Sequence, residues 1–423
     1  MKKLLALILL FALLPLPAKV RAEEGVPERP EYTSMTRVTM EYFSTVSMLQ
    51  IFDDFADPER VAAFEDTWSE VLRLLERLDG AFSLSKPDSD VSRFNALPAG
   101  GSVLVSEDTE RLIGLVRGVY DATGGCYDPT VAPLVDLFGF TPRFSSRSYR
   151  PSAGYDRERV NGALPLPDDE TVEALRPLIG FSGVSVYEGR LYKNTPPILL
   201  YGGAYQQSMD LGGIAKGYAV DLVMEFLRER GYAYGYFSCG GSSIGILSRA
   251  VSSAGAPGKA QWGVGVQYPR FGSEQQVLLR LFTNDVCLST SGDYEHFYTQ
   301  GGVRYSHLID PAQGRPVNMP VNGVQSGVCS ATVLGENAAV CDALSTALCV
   351  MGPERAVAFM NGPDYPEYSY LMILYSDDLP YCEIVTDLPA ERYEVLDPER
   401  FHVACETGPD GAVLYTGNLR NSG

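Results

Sequence analysis

The stretch Met209-Asp-Leu-Gly-Gly-Ile-Ala-Lys-Gly-Tyr-Ala-Val-Asp221 joins a glycine-bearing turn directly to a helix, which the pattern extends to about Arg230. Gly212 and Gly213 allow the backbone to come close to a ligand. The first amides of the following helix face an anion, and Lys216 adds a positive charge where a phosphate would lie. An ordinary helix start with an exposed lysine fits the same residues. Outward from this point, strands and helices alternate. Thr36 to Phe52 reads as strand and Pro58 to Leu78 as an amphipathic helix with Phe64, Trp68, Val71 and Leu75 on its apolar face. A polar loop from Ser83 to Arg93 and a helix from about Ser106 to Ala122 follow. Asp168 to Ile179 reads as a short helix, and Val184 to Leu200, Tyr234 to Leu247 and Trp262 to Thr290 as strand-rich. The last clear helix runs from about Glu336 to Met351. Without regular βαβ spacing, this alternation predicts an α+β architecture rather than a doubly wound sheet.

The ends of the chain read differently. Lys2 and Lys3 precede an apolar run from Leu4 to Leu14, broken by Pro15 and Pro17, and small residues stand at Val20 and Ala22. This is the form of a secretory signal peptide over residues 1–22, cleaved near Ala22, and the run is shorter than the ~20 residues that span a bilayer. Residues 23–35 read as a linker, and the mature chain is expected to be exported, extracytoplasmic and without a transmembrane span. Residues 141–166 lack periodicity and read as an exposed insertion. The formal charge is −19 and becomes −23 once the leader's four basic residues are removed. That field argues against nucleic acid or an anionic lipid surface as partner. Among the eight cysteines there is no CxxC pair. They read mainly as small core residues, with Cys382 and Cys405 as a possible pair.

Three further segments carry more glycine and polar groups than a core explains. Ser238-Cys-Gly-Gly-Ser-Ser-Ile-Gly245 is a glycine turn between strands, which a bulged hairpin would also give. Ser289-Thr-Ser-Gly-Asp-Tyr-Glu-His296 and Tyr305-Ser-His-Leu-Ile-Asp-Pro311 gather Ser291, Asp293, His307 and Asp310. In Ala338-Ala-Val-Cys-Asp-Ala-Leu-Ser-Thr-Ala-Leu348, Asp342 and Thr346 share one helical face. A carboxylate on that otherwise apolar face must be paired or bind metal, and oxygen-only donors suit Mg²⁺. A salt-bridged Asp with a Thr bonded back to its helix is the plainer alternative. Together the segments suggest phosphoryl or nucleotidyl chemistry.

In order and spacing, these motifs resemble the ApbE family, the FAD:protein FMN transferases. The resemblance rests on SLSKPDSDVSRFNA (83–96), GGCYDPTVAPLVDLFGF (124–140), DLGGIAKGYAVD, SCGGSSIG, STSGDYEHF, YSHLIDPAQGRPV and CDALSTAL. It implies a T-fold-like core with a smaller α/β part and a ligand cleft between them, over residues 36–375, with 376–423 as an extension packing on the core. Mg²⁺ is expected on Asp342, Thr346 and the Ala215 carbonyl. By the same resemblance FAD is expected as the substrate, with a threonine hydroxyl of an exported acceptor flavoprotein attacking the FMN-side phosphorus and AMP leaving. His307 is expected as base or proton relay, and Asp293 as a catalytic residue that helps assemble the site. Asn95 and Tyr127 are placed near the flavin or adenosine, with Tyr127 stacking on a ring. Asp210, Gly212, Gly213, Lys216, Gly240, Gly241, Ser291 and His307 are expected, by the same resemblance, to line the dinucleotide cleft. Departures from the pattern are Tyr127 for Phe, Ala132 for Gly, Ser44 in a Phe-Asp-Thr strand motif, and Ser238-Cys239 before the glycine pair. Two other outcomes stay open at this level: an FAD pyrophosphatase releasing FMN and AMP, and a non-catalytic extracytoplasmic flavin-binding protein.

Overall fold

The N-terminal strand run turns back on itself. The computed structural model describes residues 16–17, 32–140, 166–200, 202–248, 250–251, 261–270, 277–409 and 411–417. In it β1 (Thr33–Thr39) and β2 (Ser47–Asp53) pair antiparallel, where the sequence predicts one strand over 36–52. Phe43 and Ser44, at φ 54° and 52°, make the turn between them. Such left-handed geometry is uncommon for non-glycine residues, and the Phe43 N–H donates to Asp79 Oδ1 at 3.0 Å from a helix 36 residues further on. A tertiary contact therefore holds a turn that no local signal announces, and it places the Phe43-Ser44-Thr45 motif in a turn. The leader at 1–22 and the linker at 23–35 lie largely outside the described residues, and the insertion at 141–166 does so apart from Leu166.

Three of the first helices begin where the sequence supplies caps. Asp57 accepts the Glu59 N–H at the start of α1 (Pro58–Phe82), Ser89 caps α2 (Asp90–Asn95) and Ser106 caps α3 (Glu107–Ala122). Each oxygen satisfies an amide that the helix cannot. Next come α4 (Ala215–Glu229), β3 (Gly235–Cys239), β4 (Ser243–Leu247), β5 (Trp262–Gln267), β6 (Val277–Thr283) and β7 (Cys287–Gly292). A small hairpin of β8 (Phe297–Gln300) and β9 (Val303–Ser306) precedes β10 (Ser326–Gly335), and α5 (Ala338–Met351) follows it. β11 (Ser369–Ser376), β12 (Cys382–Thr386), β13 (Tyr393–Val395) and β14 (Phe401–Val403) complete the large elements.

Nine strands form one sheet in the order β1-β2-β3-β4-β7-β10-β11-β12-β14. All neighbours are antiparallel except β12 and β14, which run parallel. Alternation along the strands divides the core into two. Leu49, Ile51, Phe237 and Met372 face the helices, packing with Phe64, Leu75, Val220, Met224, Leu344 and Leu348. Met48, Tyr236, Ile244 and Ile373 face the second sheet, which contains β5, β6 and β13, and meet Trp262, Val264, Leu279 and Leu281. The result is a mixed α+β architecture of helices, central sheet and outer sheet. A smaller sheet of Ser102–Leu104, Arg190–Lys193 and Val184–Tyr187 lies beside α3, where Arg117 donates to the Phe181 and Val184 carbonyls. Among the described residues, no helix is long and apolar enough to cross a membrane.

All eight cysteines are free, and all but Cys405 are buried. Cys382 and Cys405 do not pair, because the Cys382 amide bonds to Arg400 at one end of β12 while the Cys405 thiol meets Thr386 at the other.

The contact that matters most for the site is between α4 and α5. A Cβ at Gly217 would stand 2.2 Å from the Ala338 carbonyl oxygen and 2.7 Å from the Ala339 Cα, so only glycine permits this approach. One turn on, Asp221 accepts the Ala338 and Ala339 amides at 2.6 and 2.9 Å, capping α5 from outside the helix. Burial raises the Asp221 pKa to about 6, against those two amides. Gly217→Ala is expected to lower stability by about 1–3 kcal/mol through overpacking, read from the urea midpoint. Gly114→Ala on α3, where a Cβ meets nothing within 4 Å, should instead be neutral or stabilising by up to ~1 kcal/mol.

Candidate active site

β7 and α5 face one another with matched periodicities. On a strand, Ser289 and Ser291 point the same way; on a helix, so do Asp342, Ser345 and Thr346. The two faces meet. Ser289 Oγ donates to Asp342 Oδ1 at 2.9 Å, and Ser291 Oγ lies 2.8 Å from Ser345 Oγ and 2.9 Å from Thr346 Oγ1. Asp342 is only 2% exposed. Its second oxygen accepts the Gly217 N–H at 3.2 Å, and the Lys216 ammonium stands 3.9 Å away. The carboxylate thus has two neutral donors and one loosely placed cation. Thr346 also leans back on the Asp342 carbonyl at 3.4 Å, so the plainer bonding expected for that threonine coexists with its place in the site.

The 209–221 stretch runs along the same helix. A Cβ at Gly213 would meet Thr346 Oγ1 and the Tyr127 ring, each at 3.4 Å. Asp210 accepts the Gly212 N–H at 2.8 Å, and Lys216 donates to the Gly212 carbonyl at 2.7 Å. Burial raises the Asp210 pKa. Burial also opposes the charge on Lys216, but Asp342 foremost among nearby groups outweighs it, and the ammonium stays protonated. Gly240, at φ 73°, brings the β3–β4 turn against Lys216: a Cβ there would lie 3.2 Å from the Lys216 Cδ and from Thr45 Oγ1. Gly241 continues that turn at φ 71°. Ala215 is buried at the first turn of α4.

Two of the expected binding residues have different surroundings from those expected. Asn95 is occupied by the backbone of Met209, donating to its carbonyl at 2.9 Å and accepting its amide at 2.8 Å. It anchors the start of the glycine turn. The Tyr127 ring is 4% exposed and wedged against Gly213 rather than open for stacking. Among the described residues its hydroxyl has no partner, and burial, then Asp342 and Asp210, push its pKa well up.

His307 and Asp293 belong to a neighbouring network. The His307 amide and Nδ1 both bond to the His296 carbonyl, at 3.0 and 3.1 Å. Because a carbonyl only accepts, Nδ1 carries the proton and Nε2 holds the lone pair. Burial, then His296 and finally Lys216 hold the imidazole pKa well below the ordinary histidine value. Lys216 is thus in electrostatic reach of both Asp342 and His307. Asp293, 1% exposed, is clamped by Arg270 through both oxygens. Gly217, Asp221, Arg270 and Asn318, whose amide also bonds to Asp293, make contacts around the site that no motif in the sequence assigns. The first two stand four and eight residues after Gly213, a spacing that marks one helical face. Arg270 lies in a segment without motif and carries no such signal.

Asp342 and the Thr346 hydroxyl, with the Ala215 carbonyl as the expected third donor, would make an all-oxygen set. Among the described residues, no three His, Cys, Asp or Glu side chains converge as metal ligands. A cation here would rest on one carboxylate and neutral oxygens, which fits Mg²⁺ completing its shell from phosphate and water.

Residues 37–369 match the model of the ApbE family. The chain is 32% identical to an FAD:protein FMN transferase of Vibrio cholerae over 310 residues, covering 73% of this chain and 80% of the relative. It is 28% identical to the enzyme of that name from Escherichia coli, over 81% of this chain and 83% of the relative. Its fold is similar to the flavin transferase ApbE from Vibrio cholerae, with a TM-score of 0.63 and 28% identity over 82% of this chain and 95% of that one. A Pseudomonas stutzeri flavinyl transferase ApbE in apo form gives a TM-score of 0.62 at 25% identity, over 88% of this chain and 96% of that one. A family match over most of the sequence coincides with matched folds along nearly the whole length of both solved relatives, so this chain belongs to the ApbE family.

Proposed function

We propose that this protein transfers the FMN moiety of FAD to a threonine hydroxyl of an exported acceptor protein, with release of AMP and with Mg²⁺ as cofactor. The supporting observation is the Asp342 carboxylate, buried against a glycine-rich helix start and incompletely compensated by its own chain. The family resemblance supplies FAD and the protein acceptor.

The chemistry expected at such a centre is mostly positioning and charge neutralisation. Gly212 and Gly213 leave the backbone bare where a pyrophosphate would approach. The amides of Ala215, Gly217 and Tyr218 at the start of α4 are already taken by Leu211, Asp342 and Ile214. The helix start expected to receive the anion is therefore largely occupied, and Lys216 is the donor left to meet it. Lys216, held in its protonated form by Asp342, offers a positive charge to the same anion. Ser289 orients one oxygen of Asp342, and Ser291 orients the Thr346 hydroxyl. Bound at Asp342, Thr346 and Ala215, Mg²⁺ would withdraw charge from the phosphate oxygens and ease departure of AMP. His307, neutral and with Nε2 unprotonated, is suited to take the proton from the attacking threonine. This division of labour offsets the repulsion that a chain of net charge −19 would otherwise exert on a dinucleotide.

The test of the reaction is mass spectrometry of exported candidate acceptors after incubation with the protein, FAD and Mg²⁺. A mass gain corresponding to FMN on a threonine is expected, whereas AMP release without an acceptor, and no adduct with one, would replace transfer by FAD hydrolysis. Tight FAD binding without turnover would make the chain a flavin-binding protein.

Asp342→Asn keeps the shape and the acceptor oxygen for Ser289 but removes the charge. Transfer is expected to fall at least ~100-fold, the scale of losing one electrostatic stabiliser, with an unchanged circular dichroism spectrum and weaker Mg²⁺ binding by calorimetry. Full activity at millimolar Mg²⁺ would remove Asp342 from the metal site. His307→Ala should lower kcat by roughly 10²–10⁴-fold while FAD affinity by fluorescence stays nearly constant. In the unmodified enzyme the base works as the neutral imidazole. Because its pKa is depressed, the acid-side loss of kcat should begin below the ordinary histidine value near ~6.5, and a loss centred above that value would exclude His307 as the base.

A further inference from the structure

Asp293 lies beside the candidate site, and both of its oxygens are held by donors of the scaffold. Arg270 donates from Nη1 to Oδ1 at 2.6 Å and from Nη2 to Oδ2 at 2.7 Å. Asn318 Nδ2 adds a third bond to Oδ2 at 2.9 Å, and also donates to the Val328 carbonyl at 2.8 Å. The Asp293 amide is itself tied to the Cys329 carbonyl at 3.1 Å. A two-armed arginine bond fixes both distance and plane, and the Arg270 guanidinium is backed by the Tyr375 ring at 3.6 Å. Asn318 holds its place with φ at 61°. Gly327 makes room for it, since a Cβ there would lie 2.1 Å from Asn318 Oδ1.

This hub grips both segments that position His307. Three residues after Asp293, the His296 carbonyl receives the His307 amide and Nδ1. On the other side, Leu308 follows His307, and its carbonyl accepts the amide of Val317, the residue before Asn318, at 2.9 Å. One buried carboxylate therefore connects the approach to His296 with the strand partner of the residue next to His307. We propose that Arg270 is a positioning residue, acting through Asp293 and Asn318 to fix the His296 carbonyl so that His307 keeps its proton on Nδ1 and presents Nε2. Asp293 then acts as a brace and exchanges no proton with substrate.

The experiment is nitrogen NMR of the full chain labelled at histidine. The sequence has only three histidines, and His296→Gln and His402→Gln assign the remaining signals. Neutral His307 in the unmodified protein should show the Nδ1–H tautomer alone. Arg270→Lys keeps the charge, so Asp293 is not left as an unpaired buried anion, but it loses the two-armed geometry and the planar stacking. Both tautomers of His307 should then be populated. Asn318→Gly accepts the left-handed backbone and removes the amide with its methylene, and it should shift the tautomer the same way, so the idea remains testable if Arg270→Lys unfolds. A single unchanged tautomer in the folded variants would overturn the proposal. The rate arm rests on the flavin-transfer reading: kcat should fall by roughly 10–100-fold, the scale of a small misplacement, with the KM for FAD within about two-fold. A rise in KM alone would overturn the positioning role, whereas a failure of flavin transfer itself leaves the tautomer result standing.

Discussion

The buried carboxylate of Asp342 is the constraint around which the site is arranged. An ionised group almost removed from water must be compensated by the protein or by a ligand. Here the compensation comes from three directions: a hydroxyl on β7, an amide on α4 and an ammonium one residue before that amide. None of them is a close ion pair, so the carboxylate keeps capacity for a cation. The arrangement depends on α4 and α5 lying antiparallel at near-contact distance. Gly213 meets Thr346, Gly217 meets Asp342, and Asp221 meets Ala338. The contacts advance by four residues along one segment as they retreat by four along the other, which is the row of side chains a helix presents to a neighbour. Substituting glycine for any larger residue at 217 is what lets this row close.

That register explains how much of the site is legible from residues alone. Asp342 and Thr346 are four apart, the glycines precede a helix, and Ser289 and Ser291 alternate on a strand. Each is a local period, and the structure brings all of them together. The resemblance to the ApbE family rests on those same segments, and the family match covers them. Asp221 closes the quoted stretch, but its role requires knowing that the N-terminus of α5 lies against it. No period carries that information.

Where the sequence reading departs from the structure, the cause is a contact at long range or a backbone choice that residue type disfavours. The strand expected over 36–52 breaks because Asp79, on α1, holds the amide of Phe43 in a turn with two left-handed non-glycine residues. The cysteine pair suggested for the tail is separated along β12. Asn95 and Tyr127 sit in the expected neighbourhood with their polar atoms or faces otherwise engaged: Asn95 holds the Met209 backbone, and the Tyr127 ring packs on Gly213. Both help shape the glycine turn, and contact with a flavin ring is not needed to account for either.

Acidic surroundings and an anionic substrate are compatible because charge is managed locally. Arg270 is consumed by Asp293, and the Asp221 carboxylate is consumed by helix amides. Lys216 remains, 25% exposed along its side chain and within reach of Asp342 and His307. A lysine suits this place because its ammonium is a compact charge on a flexible stem. Under the proposed function it would neutralise Asp342 in the arrangement seen here and face a phosphate in another, which an arginine locked into a fork could not do. The arginine thus serves the scaffold, and under the proposed function the lysine would serve the ligand, which would keep the charge used for catalysis separate from the charge used for folding.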